Sequence, residues 1–263
     1  MKNSTVVVKR FLPLFSILFW VGLWWGLAAA FQKPLLLPTP LDMLQALLRL
    51  AGTGAFYQTL AISLLRIVSG ILLALVAGTL LALLTVKSKI CHYLFSPVLN
   101  LFKATPVASV IFLLLLWVGR DRVPLVIAFM MALPIVWANV HEGLLQTDRK
   151  LLEMAQVFEV PTSRVLFAIR LPSLLPYFLA AARSAIALAW KAGVAAEVLC
   201  TPERSIGRAI YEGKLYLLTD ELFAWTFIVV VISVLIEWGA LALLGRAQGK
   251  TAKPETESKG VSV

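Results

Sequence analysis

Six apolar runs, each long enough to cross a lipid bilayer, dictate most of what this chain can become. They fall at residues 11–31, 59–86, 94–118, 123–140, 176–200 and 222–244, and a helix needs about 20 such residues to span the hydrocarbon core. Inside lipid every backbone N–H and C=O must find its partner within the segment or in a closed barrel. Runs of this length and continuity therefore predict an all-α polytopic membrane protein of six transmembrane helices. Only 14% of the residues are charged and the mean hydropathy is +0.88, against about a quarter charged in soluble domains. Six crossings put both termini on one side.

The basic residues choose that side, because Lys and Arg beside membrane spans are retained in the cytoplasm. With the N-terminus inside, the inner segments hold Lys9, Arg10, Lys87, Lys89, Arg149, Lys150, Arg164, Arg170 and the basic residues of the C-terminal tail, while the outer ones hold fewer, such as Lys33, Arg49, Arg120 and Arg208. The bias is about two to one. The net charge of +10 consequently reads as topology, and a nucleic-acid partner is not expected. The first run has Lys9 and Arg10 before it and Ala28, Ala29 and Ala30 at its end, but exceeds the ~7–15 residues of a signal-peptide core; it is expected to remain as an anchor. This divides the chain into a cytoplasmic stretch at 1–10, a transmembrane domain at 11–244 and a disordered cytoplasmic tail at 245–263.

Two interruptions have their own local logic. Between the first two spans Thr39 can cap a helix that has Pro40 at its first position and Asp42 near its positive end, so a short external helix is predicted over about 40–51, ended by Gly52 and Gly54. Leu41, Leu44, Leu47, Leu48 and Ala51 recur at helical spacing and form a face for the outer leaflet. Between the fourth and fifth spans, a polar hairpin at about 148–172 is predicted: a helix over 151–158, a break at Glu159, Val160 and Pro161, and a second helix that Pro172 stops. Leu152, Ala155 and Phe158 share a stripe of the first arm, and Val165, Phe167 and Ile169 supply apolar surface on the second. Phe158 suits an aromatic anchor in a protein groove, small Ala155 a close approach, and Glu153 a pairing with a basic residue of the partner.

Charges inside the spans point to a pathway, since each costs about 2.5–3.5 kcal/mol to insert. Arg66, Arg183, Lys191, Glu197 and Glu237 qualify. Arg183, Trp190 and Glu197 repeat every seven residues along one stripe of the fifth span, with Lys191 off it. Arg66, Arg183, Trp190, Lys191 and Glu197 are the candidates for lining a translocation path; pairing and snorkelling of these charges are the structural alternative. A basic lining would favour an anionic or strongly polar cargo. No catalytic or metal-binding constellation is legible. His92 and His141 stand far apart in sequence, Cys91 and Cys200 fall at opposite ends of their spans, and the glycines of 245–251 are separated by three residues where a phosphate-binding loop has four.

The hairpin resembles the cytoplasmic coupling loop of ABC importer permeases, whose pattern is E-A-A-x3-G-x9-I-x-L-P. Glu153, Ala155, Ile169, Leu171 and Pro172 match it in type and spacing, with Met154 in place of an alanine and Glu159 in place of the glycine. Because a glutamate resists the positive φ that glycine provides, the turn is expected to take a different shape, set by Pro161. Leu37-Pro38-Thr39-Pro40, Ser63-Leu64-Leu65-Arg66, Thr105-Pro106, Trp117-Val118-Gly119 and Ala195-Ala196-Glu197 are similar in order and spacing to the permeases of nitrate, sulfonate and taurine importers. The resemblance implies a type I ABC importer permease fold in a prokaryotic plasma membrane. It also implies an ATP-binding cassette subunit as partner, touching Glu153, Ala155, Phe158, Glu159, Ile169, Leu171 and Pro172. A second permease copy, expected as a homodimer, and an external solute-binding protein would complete the assembly in membrane lipid. The chain would carry no cofactor and no catalysis of its own, ATP being bound by the partner. A secondary transporter or a membrane scaffold is the alternative reading.

Overall fold

The computed structural model describes residues 3–251, with side chains over 15–239. Every regular element among them is helical: α1 (Asn3–Phe31), α2 (Pro40–Ala51), α3 (Gly54–Lys87), α4 (Lys89–Ala104), α5 (Val107–Leu115), α6 (Val123–Leu145), α7 (Arg149–Val157), α8 (Thr162–Val165), a π-helical turn (Leu166–Arg170), α9 (Leu171–Cys200), α10 (Ile206–Leu215) and α11 (Thr219–Thr251). Helix α11 runs on to Thr251, past the expected end of the last span near residue 244; the rest of the tail, 252–263, lies outside the described residues.

Each of the six apolar runs is helical, but they are not six equal rods. Four helical stretches among the described residues are long and apolar enough to cross alone, and Phe15–Phe31 is a shorter apolar part of α1. The run at 94–118, read from sequence as one span, is a pair: α4 and α5 meet at a 104° bend. The cause is local. Pro106 disfavours helical geometry in the residue before it, and Thr105 is extended at φ −80°, ψ 130°. Pro106 then opens α5, where its missing N–H costs nothing.

The chain forms two compact units, Met1–Ser63 with Thr201–Val230, and Leu64–Cys200 with Val231–Val263. In the first, α2 starts with a reciprocal cap: the Thr39 hydroxyl accepts from the Asp42 N–H at 3.2 Å, and the Asp42 carboxylate accepts from the Thr39 N–H at 2.9 Å. Met43 and Ala46 pack against Ala224, with Trp24, Leu47, Leu50 and Phe223 around them. The leucine face expected for the lipid is thereby divided. Leu47 turns to protein, and Leu41, Leu44 and Leu48 stay exposed. Arg49 reaches Asp220 at 2.6 Å, and the buried Ser63 hydroxyl accepts the N–H of Ile206 at the start of α10.

In the second unit, α6 and α9 run together through small residues. A Cβ on Gly143 would lie 2.6 Å from that of Tyr177, and α3 approaches α9 in the same way, where a Cβ on Gly193 would lie 2.9 Å from the γ carbons of Ile67. Val110, Ile111, Val123, Ile127, Met131, Ala192, Ala196 and Cys200 close a core among α5, α6 and α9. Trp137 donates its indole N–H to Thr85 at 3.0 Å.

Candidate functional site

The hairpin begins at Asp148, whose carboxylate accepts the Lys150 N–H at 2.9 Å and caps α7. Leu151, Met154, Val157 and Phe158 are exposed, Met154 at 51% and Phe158 at 73%, while Ala155 is 5% exposed. The stripe read from sequence therefore splits: Ala155 is buried in the single chain, while Phe158 is exposed. The outward apolar set is Leu151, Met154 and Phe158, spaced i, i+3, i+7, a signal present in the sequence that the Leu152–Ala155–Phe158 reading passed over.

The end of α7 overturns the expected turn shape. Glu159 adopts φ +51°, its N–H donates to the Gln156 carbonyl at 3.1 Å, and the Val160 N–H donates to the Ala155 carbonyl at 2.9 Å. These two bonds make a Schellman cap with Glu159 at the left-handed position. Here a non-glycine residue bears about 1–2 kcal/mol of strain. The turn is thus the one glycine would make, because the paired carbonyls at the helix end hold the glutamate in it. Pro161 acts afterwards, as the N-cap of α8.

The second arm differs too. Pro172 does not stop it; the helical stretch runs from Thr162 to Cys200 as a membrane-length element. Proline in a helix removes one N–H and crowds the carbonyl four residues back. The π-helical turn at Leu166–Arg170 inserts the extra residue that relieves this, with the Leu171 N–H donating to the Leu166 carbonyl five residues back. Phe167, Leu171 and Pro172 stay exposed and Ile169 half-buried. An apolar cleft lies between Phe167, Leu171, Pro172, Leu175 and Phe178.

The charges within the spans separate into two kinds. Glu197 is fully buried and accepts from Arg66 at 3.2 Å, and Arg66 also lies 3.7 Å from Asp121 in the loop before α6. Trp190, the middle residue of the expected stripe, is 1% exposed. Arg183 and Lys191 are exposed, and no acidic side chain among the described residues pairs with either. The open face of α9 thus carries Ala180, Ser184, Leu188, Lys191 and Ala195, with Arg183 beside it, and not Trp190 or Glu197. Glu237 is half-buried on α11. The reach of Asp121 to Arg66 had no sequence signal.

The two histidines also come together. The rings of His92 and His141 lie 5.0 Å apart, both tilted against Trp137, because α4 and α6 bring distant positions side by side. Among the described residues no group of three or more His, Cys, Asp or Glu side chains could hold a metal ion.

Known proteins resemble this chain in sequence and in fold. The chain is 26% identical over 231 residues to the taurine transport system permease protein TauC of Escherichia coli (strain K12), covering 85% of this chain and 83% of that one. It is 29% identical over 203 residues to the aliphatic sulfonates transport permease protein SsuC of Bacillus subtilis (strain 168), described as putative, covering 76% and 73%. In fold it is similar to a solved chain of the inward-facing MetNI methionine ABC transporter, with a TM-score of 0.56 at 18% identity over 73% of this chain and 93% of that one. Residues 70–248, more than half of the chain, match the family of binding-protein-dependent transport system inner membrane components. The chain belongs to that family and is a membrane permease of the ABC importer class.

Proposed function

We propose that this permease carries a small anionic solute, of the sulfonate kind, along the open face of α9, and that a separate ATP-binding subunit drives it through the hairpin at 148–172. The observation that carries the cargo reading is the imbalance of charge in that span. Glu197 is neutralised by Arg66, whereas Lys191 and Arg183 stand exposed. Facing lipid, such charges would cost about 2.5–3.5 kcal/mol each. Turned to a watery path enclosed with a second copy of the chain, they attract anions instead. Taurine and aliphatic sulfonates, named for the relatives, carry the matching anionic group.

The exposed Leu151, Met154 and Phe158 give the hairpin an apolar knob suited to a groove on the ATP-binding subunit, with Glu153 at its edge. ATP hydrolysis belongs to that subunit, and a solute-binding protein delivers cargo from outside. The excess of basic residues in the loops read as inner supports a cytoplasmic placing of both termini.

The test is ATP-dependent uptake of taurine and of an aliphatic sulfonate into proteoliposomes holding the full transporter and its binding protein. Lys191→Met is expected to lower uptake about tenfold, the scale of one lost contact of about 1.4 kcal/mol, with assembly intact. Uptake at the parental rate would remove the anionic path, and uptake without ATP would remove the class of mechanism.

A further inference from the structure

Glu159 sits where two features of the fold argue against it. Its φ of +51° is the conformation glycine adopts without strain. Its carboxylate lies at the C-terminal end of α7, where the helix dipole favours cations. Its side chain is exposed and makes no hydrogen bond or ion pair with any described residue, although Arg164 stands a few residues on in the second arm. Backbone strain of this kind concentrates at contacts with a function. The residues beside it are the exposed Val157 and Phe158, so the tip is an apolar knob with an acid on its rim.

We propose that Glu159 is a partner-selecting contact, meeting a lysine or arginine at the rim of the groove that receives Phe158 on the ATP-binding subunit. The inference rests on the reading of the hairpin as the docking element. A rim charge acts mainly on encounter rate, salt dependence and rejection of wrong partners, which gives the contact a signature distinct from that of the apolar knob. An acid here would favour a subunit with a basic rim and disfavour one with an acidic rim.

The experiment uses full-length permease in lipid nanodiscs and the ATP-binding subunit that copurifies with it, with association rates measured at low and high salt. Glu159→Gly and Glu159→Gln are expected to slow association about threefold at low salt, the scale of an exposed ion pair, with the difference gone at high salt. Glu159→Lys should slow it about tenfold, by like-charge repulsion. Thermal unfolding separates strain from charge: Glu159→Gly should unfold later than Glu159→Gln, since only glycine relieves the backbone. Association of Glu159→Gly and Glu159→Gln at the parental rate in low salt would overturn the proposal. Phe158→Ala distinguishes the two levels: if it abolishes binding, the hairpin docks and the Glu159 result decides alone; if binding persists unchanged, the docking reading falls and this inference with it.

Discussion

Arg66 and Glu197 are 131 positions apart, and each is unaffordable in the bilayer without the other. A buried carboxylate deprived of its cation costs far more than the pair contributes when intact, because desolvation is already incurred. Arg66→Met or Glu197→Met should therefore lower stability by about 3–5 kcal/mol, while the two together should recover most of it; thermal unfolding of the four forms in detergent reads the cycle, and single changes costing under about 1 kcal/mol would mean that the pair is solvated. Both residues were visible in the sequence as charges inside spans. Their pairing was not, since composition and period say nothing of which distant helices meet. Trp190 teaches the same lesson. The heptad stripe is real as a spacing, but the packing of α9 put Trp190 and Glu197 inward and left Lys191 on the open face.

At the level of elements, legibility follows how local the cause is. The cap of α2 was readable to the residue, because Thr39, Pro40 and Asp42 act on one another across a single turn. The hydrogen bonds from the Thr39 side chain and then its backbone hold the Asp42 carboxyl below its ordinary range. A group depressed in the folded chain contributes stability that is present above its unfolded value, about pH 4, and lost as the pH falls through its lower folded value. Asp42→Asn should cost about 1 kcal/mol at neutral pH and should flatten the acid dependence below pH ~4, readable in acid-dependent unfolding of the full-length permease. An unchanged acid profile would show that the cap does not couple to stability. Proline effects were legible in place but not in outcome. Pro106 produced a 104° bend where continuity was expected, and Pro172 was absorbed by a π-helical turn where a stop was expected. A proline states only that one N–H is missing; what the neighbouring backbone does about it depends on the packing around it.

For the whole molecule, the orientation read from loop charges depends on the broken α4–α5 pair crossing the membrane. The two ends supply the test. In a form without Cys91 and Cys200, Lys89→Cys should be labelled by an impermeant maleimide from the cytoplasmic side and Arg120→Cys from outside; labelling of both from one side would make the pair re-entrant and separate the termini. The sequence by itself determined that this chain is helical and membrane-spanning, where the short helix α2 starts, that a polar hairpin interrupts its spans, and which family it resembles. The first three follow from hydropathy, capping or charge read over a few neighbouring residues, and the resemblance from motif residues in a fixed order and spacing. Only the tertiary structure decided that Arg66 neutralises Glu197, that Lys191 is left open and that two separated histidines lie tilted against Trp137. Those outcomes depend on contacts between segments far apart, which no local pattern encodes.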